Sequence, residues 1–187
     1  NTVNIKTVFM VLTFLLYAHS SWAEREPYEA PAWVAPPPPT SRVHLIDNAD
    51  GTLTETKTQL MWTQQDSYSE LGKCLNWYQA QSYVKNLKTG GYTDWRLPKV
   101  VEYGMIYDDT KENILAWDHD PDQPLGLSKQ FADGAAYWYW SAEFDDNDLA
   151  DCCARVAYFV TGRAFWRNLS NCTHGGVRAV RDLKPRP

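Results

Sequence analysis

Four short runs in the last third of the chain limit the possible folds more than anything else in it: YWYWSAEF (137–144), ARVAYFV (154–160), RAFWRN (163–168) and GVRAVRD (176–182). They are dense in aromatic and β-branched residues, the composition of half-buried strands. Thr161-Gly162 between the second and third predicts a hairpin with a two-residue turn and Val160 opposite Arg163. Further upstream, VHLIDNADGTLTETKTQLMWT reads as short strands around tight turns, with Asp50-Gly51 the strongest hairpin signal. Asp47, Asp50 and Gly51 have the flavour of a calcium loop, but the later Glu of an EF-hand is missing, so they read as a turn.

Between these strand regions the pattern is helical. Asn76 is a good N-cap and Gln79 completes a capping box. Trp77, Ala80, Val84 and Leu87 recur at helical spacing until Gly90-Gly91 stops the helix. A second helix is expected near Pro98, with Val101, Met105 and Ile106 on one side. An early hairpin, two helices and a run of strands form an α+β order with short antiparallel sheets.

The flanks differ in kind. Residues 1–23 read as a signal peptide: Lys6, an apolar run from Thr7 to Ala18, and a Ser21-Trp22-Ala23 cleavage site. That uncharged run is shorter than the roughly 20 residues of a membrane-spanning helix. Residues 24–40 hold Pro36 to Pro39 in succession and form a semi-rigid polyproline linker. The domain then occupies 41–183, and 184–187 are a tail. Across all 187 residues there are 18 basic and 23 acidic side chains, a net charge of -5. That balance disfavours nucleic acid or any other polyanion as the main partner.

Export places the 4 cysteines in an oxidising compartment, which favours disulfides. Zinc has no CxxC pair and no histidine at ligand spacing to support it. Of the three connectivities, joining Cys152 to Cys153 closes a ring across adjacent residues and is the least expected. Extending the hairpin ladder puts Cys172 near both, on the same face as Cys153. The expected pairs are therefore Cys153–Cys172 and Cys74–Cys152.

The strings DNADGTLTETKTQLMW, A..YV..L..GGYTDWRLP, YWSAE and VRAVR, in that order over roughly 45–182, resemble a bacterial family. It is the family named for the C-terminal domain of the Legionella collagen-like adhesin. The resemblance implies a variant of the C-type lectin fold, related to the formylglycine-generating enzyme. GYTDWRLP would then be a structural corner between the two helices. In it Tyr92 and Trp95 plug the end of the first helix, Arg96 pairs with Asp94 or backbone carbonyls, and Pro98 sets φ for the second. The named adhesin's domain is thought to bind sulfated polysaccharides through a basic surface, and this acidic chain does not carry that ligand class over.

Candidate chemistry lies in the segments that the resemblance makes long loops. AWDHDPDQP offers Trp117, Asp118 and Asp120, and EFDDNDLAD begins with Glu143. AFWRNLSNCTHGG offers Trp166, Arg167, Asn168 and Asn171, with Trp and Arg being typical hot-spot residues. Asp145, Asp146 and Asp148 are hard oxygen ligands suited to calcium, but they follow no ligand-spacing motif, and solvated loops are the favoured reading. No cofactor is implied beyond that calcium. The lectins' sugar-selecting tripeptides are absent, so calcium-dependent sugar binding of that type is not expected. His44, His119 and His174 lie far apart, and no HExxH, phosphate loop or nucleophile elbow occurs, so an enzyme is not expected. Two readings compete: an exported, non-enzymatic recognition or adhesion module for a glycan or protein ligand, and a structural subunit of a filament or envelope assembly.

Overall fold

The computed structural model describes residues 43–145 and 152–183. The segments expected as signal peptide, linker and tail, together with Asp146 and Asp148, lie outside the described residues. Two small four-stranded sheets and a few short helices make an α+β arrangement.

The first sheet has the order β1-β2-β3-β8, its last strand β8 being Val180–Asp182 near the end of the described chain. Strand β1 (Leu45–Asp47) pairs antiparallel with β2 (Thr52–Glu55), and β2 with β3 (Leu60–Thr63). Asp50 is a turn residue, as expected: its carboxylate accepts the Thr52 amide at 3.1 Å and the Thr52 hydroxyl at 2.6 Å. After β3 comes a one-turn helix that the sequence reading missed, α1 (Ser67–Leu71). Its N-cap Asp66 accepts the amides of Tyr68 and Ser69 at 2.9 and 2.8 Å.

Helix α2 (Trp77–Asn86) has the predicted cap, with the Asn76 and Gln79 side chains each accepting the other residue's amide. Trp77, Ala80 and Val84 are buried along one stripe. The chain reverses at Gly90, whose φ of 64° lies in the left-handed region that glycine enters without a Cβ penalty. Helix α3 (Val100–Gly104) begins two residues later than Pro98. Its inward face is Val100, Tyr103 and Ile106, while Val101 is 48% exposed, so the expected stripe is rotated. Tyr103 prevails because its hydroxyl donates to the Trp140 carbonyl at 3.0 Å and its ring stacks 5.6 Å from Tyr139.

The second sheet has the order β6-β5-β4-β7. It consists of β4 (Trp138–Phe144), β5 (Cys153–Tyr158), β6 (Arg163–Asn168) and β7 (Gly175–Gly176), and β7 pairs parallel with β4. Gly175 lets the Trp138 indole close onto the backbone, because a Cβ there would sit 2.2 Å from the ring. The last predicted strand is split. Gly176 belongs to this sheet, whereas β8 (Val180–Asp182) pairs with β3, so one run ties the two sheets together. At its midpoint Arg178, fully buried, donates to the Thr63 and Gln64 carbonyls at 3.0 and 2.7 Å and pairs with Asp66 at 3.2 Å.

Two expectations about the hairpin need correcting. Tyr158, not Val160, opposes Arg163, because Gly162 donates to the Tyr158 carbonyl and the connection has four residues rather than two. The disulfides are Cys74–Cys172 and Cys152–Cys153, not the expected pairs. Strand β6 ends at Asn168, so Cys172 never joins the ladder. The chain turns there, with the Asn168 carboxamide accepting the Ser170 amide at 2.9 Å, and runs back to the start of α2. Trp77 donates to the Leu169 carbonyl and Leu75 to the Gly175 carbonyl, which holds Cys172 5.3 Å from Cys74 between Cα atoms. The adjacent cysteines then have only each other. Among the described residues no helix is long and apolar enough to cross a membrane.

Candidate functional site

The β5–β6 register sorts the expected site residues. Opposed pairs Cys153–Asn168 and Arg155–Trp166 share one face, and Ala154–Arg167 and Val156–Phe165 share the other. Trp166 and Arg167 were expected together on one exposed loop. They lie instead in the strand itself and point to opposite sides.

On the first face Trp166 is 52% exposed and the Arg155 guanidinium lies 5.9 Å from its ring centroid. Glu143 approaches Arg155 at 3.8 Å and also accepts the Val100 amide at 3.2 Å, so it ties β4 to the start of α3. Asn168 is occupied locally, its side-chain oxygen accepting the Ser170 amide and hydroxyl.

The opposite face is richer. Arg167 lies 4.4 Å from the Trp138 ring centroid and 5.1 Å from that of Phe165. Burial lowers the pKa of its guanidinium below the usual arginine value. It donates one long bond, 3.5 Å, to the Asn171 side-chain oxygen. Trp138 donates its indole N–H to the Thr173 carbonyl at 2.7 Å. The neighbouring His174 ring, on a backbone with φ of 55°, lies 5.3 Å from Trp117. Trp117, 38% exposed, stacks on Tyr68 at 5.7 Å. Asp118 accepts the Tyr137 hydroxyl at 2.6 Å, and burial followed by that bond raises the Tyr137 pKa. Tyr158 donates to Gln123 at 3.0 Å, which draws the acidic loop over the sheet. Two links join the Trp117–Asp118 loop to the Arg167 side: Thr173, which accepts the Trp138 indole, precedes His174, whose ring meets Trp117, and Gln123 accepts from Tyr158. Asp120 stays in the same loop, accepting the Asp122 amide at 2.9 Å.

Of the proposed calcium ligands, Asp145 alone falls among the described residues, and its amide donates to the Cys153 carbonyl at 2.8 Å. Among the described residues no group of three or more His, Cys, Asp or Glu is placed to hold a metal ion.

The GYTDWRLP corner packs against β8. Trp95 is 5% exposed and donates its indole N–H to the Thr89 carbonyl at 3.2 Å. Arg96 does not pair with Asp94, although it does donate to a backbone carbonyl, that of Leu97, at 3.3 Å. It forms a two-pronged bond to Glu102 at 2.7 and 2.8 Å and reaches Asp182 at 3.3 Å. Burial alone would lower its pKa, but these carboxylates raise it. Asp94 is taken by Arg181 at 2.7 Å, whose guanidinium sits 4.0 Å over the Tyr92 ring. Beside the corner opens a groove of about 920 Å³ lined by Trp77, Trp95, Leu97, Lys85, Lys99 and the half-exposed Phe144, among others.

The family model described as the Lcl C-terminal domain matches residues 51–181. The chain belongs to the Lcl C-terminal domain family. No match was found among curated proteins. The span shared with the Lcl C-terminal domain takes in both strand faces, the acidic loop and the corner. Within it, no motif marks Tyr68 and Tyr137, which brace Trp117 and Asp118, or Tyr158 and Gln123, which bond to each other. An abundance of 11 Tyr was the single available signal, because nothing in linear spacing says which of them converge.

Proposed function

We propose that the domain is an exported, non-enzymatic recognition module of adhesin type on a C-type-lectin-like framework, and that it holds a glycan against the Trp117 face. Family membership points to an adhesin-like module and hence to a surface or secreted setting. The two small sheets and few helices are compatible with the lectin-like arrangement. The observation that carries the ligand reading is Trp117 itself. It is a tryptophan 38% exposed yet braced by Tyr68 and His174, with the Asp118 carboxylate and the Tyr137 hydroxyl beside it. A braced aromatic face next to fixed polar groups stacks on a sugar ring at little cost in side-chain entropy and hydrogen-bonds its hydroxyls.

The test is binding of the purified domain to immobilised host-type and bacterial glycans, with Trp117→Ala and Trp166→Ala compared. Trp117→Ala should lose most of the binding at an unchanged melting temperature, and Trp166→Ala should retain it. Glycan binding unaffected by Trp117→Ala would refute the assignment of the face. Glycan-independent self-association by sedimentation, with no glycan bound, would favour the structural-subunit reading.

A further inference from the structure

Resting on the reading of the Trp117 face as a ligand surface, we propose that its ligand is a sugar acid, one carboxylate on a hydroxyl-rich ring, with that carboxylate seated on the Arg167 guanidinium.

Arg167 differs from the other buried or half-buried arginines in having no carboxylate among the described residues. Arg96 pairs with Glu102 and Asp182, Arg155 with Glu143, Arg178 with Asp66 and Arg181 with Asp94. Arg167 has two aromatic faces, one 3.5 Å bond to an amide oxygen and, among the described residues, no ion pair. Its Nε is buried without a hydrogen-bond partner, and its Nη2 makes no hydrogen bond among the described residues. Among the described residues, therefore, the fold keeps a partly desolvated cation fixed in position with its charge unmatched. Such a guanidinium is already ordered for an oxyanion contact through its terminal Nη atoms, so little conformational freedom is lost when one binds. Its depressed pKa, caused by burial, agrees with a charge that lacks a counter-ion.

The surroundings choose among oxyanions. Tyr158 packs its ring 6.2 Å from Phe165 and donates its hydroxyl to Gln123, bringing the loop that carries Asp118, Asp120 and Asp122 to the same strand pair as Arg167. Those carboxylates, on a chain of net charge -5, repel a polysulfated or otherwise multiply charged polymer. They do not repel hydroxyl groups, for which Asp118 and Gln123 are acceptors. A single carboxylate with neutral hydroxyls satisfies both halves of the face, and the exposed Trp117 ring supplies the stacking surface.

Titrating the ¹⁵N-labelled protein with glucuronate and galacturonate, against glucose and galactose at matched ionic strength, tests the proposal by NMR. The acids should shift the Arg167 Nε and the Trp117 and Trp138 indole signals and bind roughly tenfold or more tighter than the neutral sugars, the order of one charge-assisted pair. Arg167→Gln and Arg167→Met, the latter keeping apolar packing on Trp138, should reduce the acids to the neutral-sugar level, and Arg167→Lys should keep part of the difference. Neutral sugars that bind equally well in a Trp117-dependent manner would overturn this proposal and leave the recognition reading standing. Silence of all these signals with every sugar would overturn both. Dextran sulfate displacing glucuronate from Arg167 at equal concentration would show that the acidic rim does not select against polyanions, and would sink the choice of ligand.

Discussion

Replacing Asp66 by Asn tests where the described fold concentrates its polar stabilisation. The Asp66 carboxylate is fully buried. One oxygen caps α1 through the Tyr68 and Ser69 amides. The other accepts the Ala136 amide at 3.0 Å, the Tyr139 hydroxyl at 2.5 Å and Arg178 at 3.2 Å, where Arg178 is itself 0% exposed. Asn keeps an oxygen for the cap but points an NH₂ at three donors and leaves Arg178 buried without its counter-charge. Breaking one side of a buried ion pair costs about 3–5 kcal/mol. Asp66→Ala should cost about 1 kcal/mol more, because the cap is lost as well. Domains are typically stable by about 5–15 kcal/mol, so Asp66→Asn should fold with a greatly reduced margin. Urea denaturation followed by tryptophan fluorescence should show the midpoint falling by roughly 2 M at an unchanged slope, taking a slope of about 2 kcal/mol/M. The cause is checked by the double variant Asp66→Asn/Arg178→Met, which should be markedly less destabilised than the sum of its parts. An Asp66→Asn change within about 1 kcal/mol of wild type, well under the expected cost, would mean that Arg178 is not dependent on this carboxylate.

Trp95→Ala should cost about 3–5 kcal/mol as loss of a buried aromatic, whereas Trp166→Ala, half exposed, should change stability little; equal small effects in denaturant titrations would contradict the corner assignment. Cys74→Ser/Cys172→Ser should lower stability by several kcal/mol, because that bridge closes a 98-residue separation, on the order of 4.7 kcal/mol for a 100-residue loop in the chain-entropy model. The Cys152–Cys153 bridge, at a separation of 1, closes only a small ring across adjacent residues, so Cys152→Ser/Cys153→Ser should leave the melting temperature nearly unchanged. Asp94 has its pKa lowered by its bond to Arg181, so its contribution is complete above the unfolded carboxylate value near 3.9 and is lost as pH falls through the lower folded value; Asp94→Asn should therefore weaken the protein at neutral pH and narrow the gap to wild type under strong acid. Millimolar calcium should leave the melting curve unmoved if the acidic run after Phe144 binds none, and a rise reversed by EDTA would establish a metal site.

Much of the fold was legible because its signals are local. The Asn76–Gln79 capping box, the helical stripe of α2, the stop at Gly90 and the composition of the strands each depend on residues within a turn or two of one another. Their physics, satisfying end amides and burying one face, operates before any tertiary contact forms. Membership of the Lcl C-terminal domain family was legible for a related reason, since the resemblance rests on strings read directly along the chain.

What depended on distant partners was not legible. The Thr161-Gly162 pair does not distinguish a two-residue from a four-residue connection, which is settled by how Tyr158 and Gly162 meet. Cysteine pairing followed from where β6 ended and from the return of the chain to α2, neither of which leaves a trace in spacing. Arg96 chose Glu102 and Asp182 over its near neighbour Asp94 because burial rewards the better-desolvated two-pronged contact. Trp166 and Arg167 show the limit most simply. Adjacent in sequence, they were read as one patch, and strand pleating sends them to opposite faces. Arg167 gains its meaning from Trp138, Phe165 and the absence of a carboxylate among the described residues, facts that exist only once the sheet has formed.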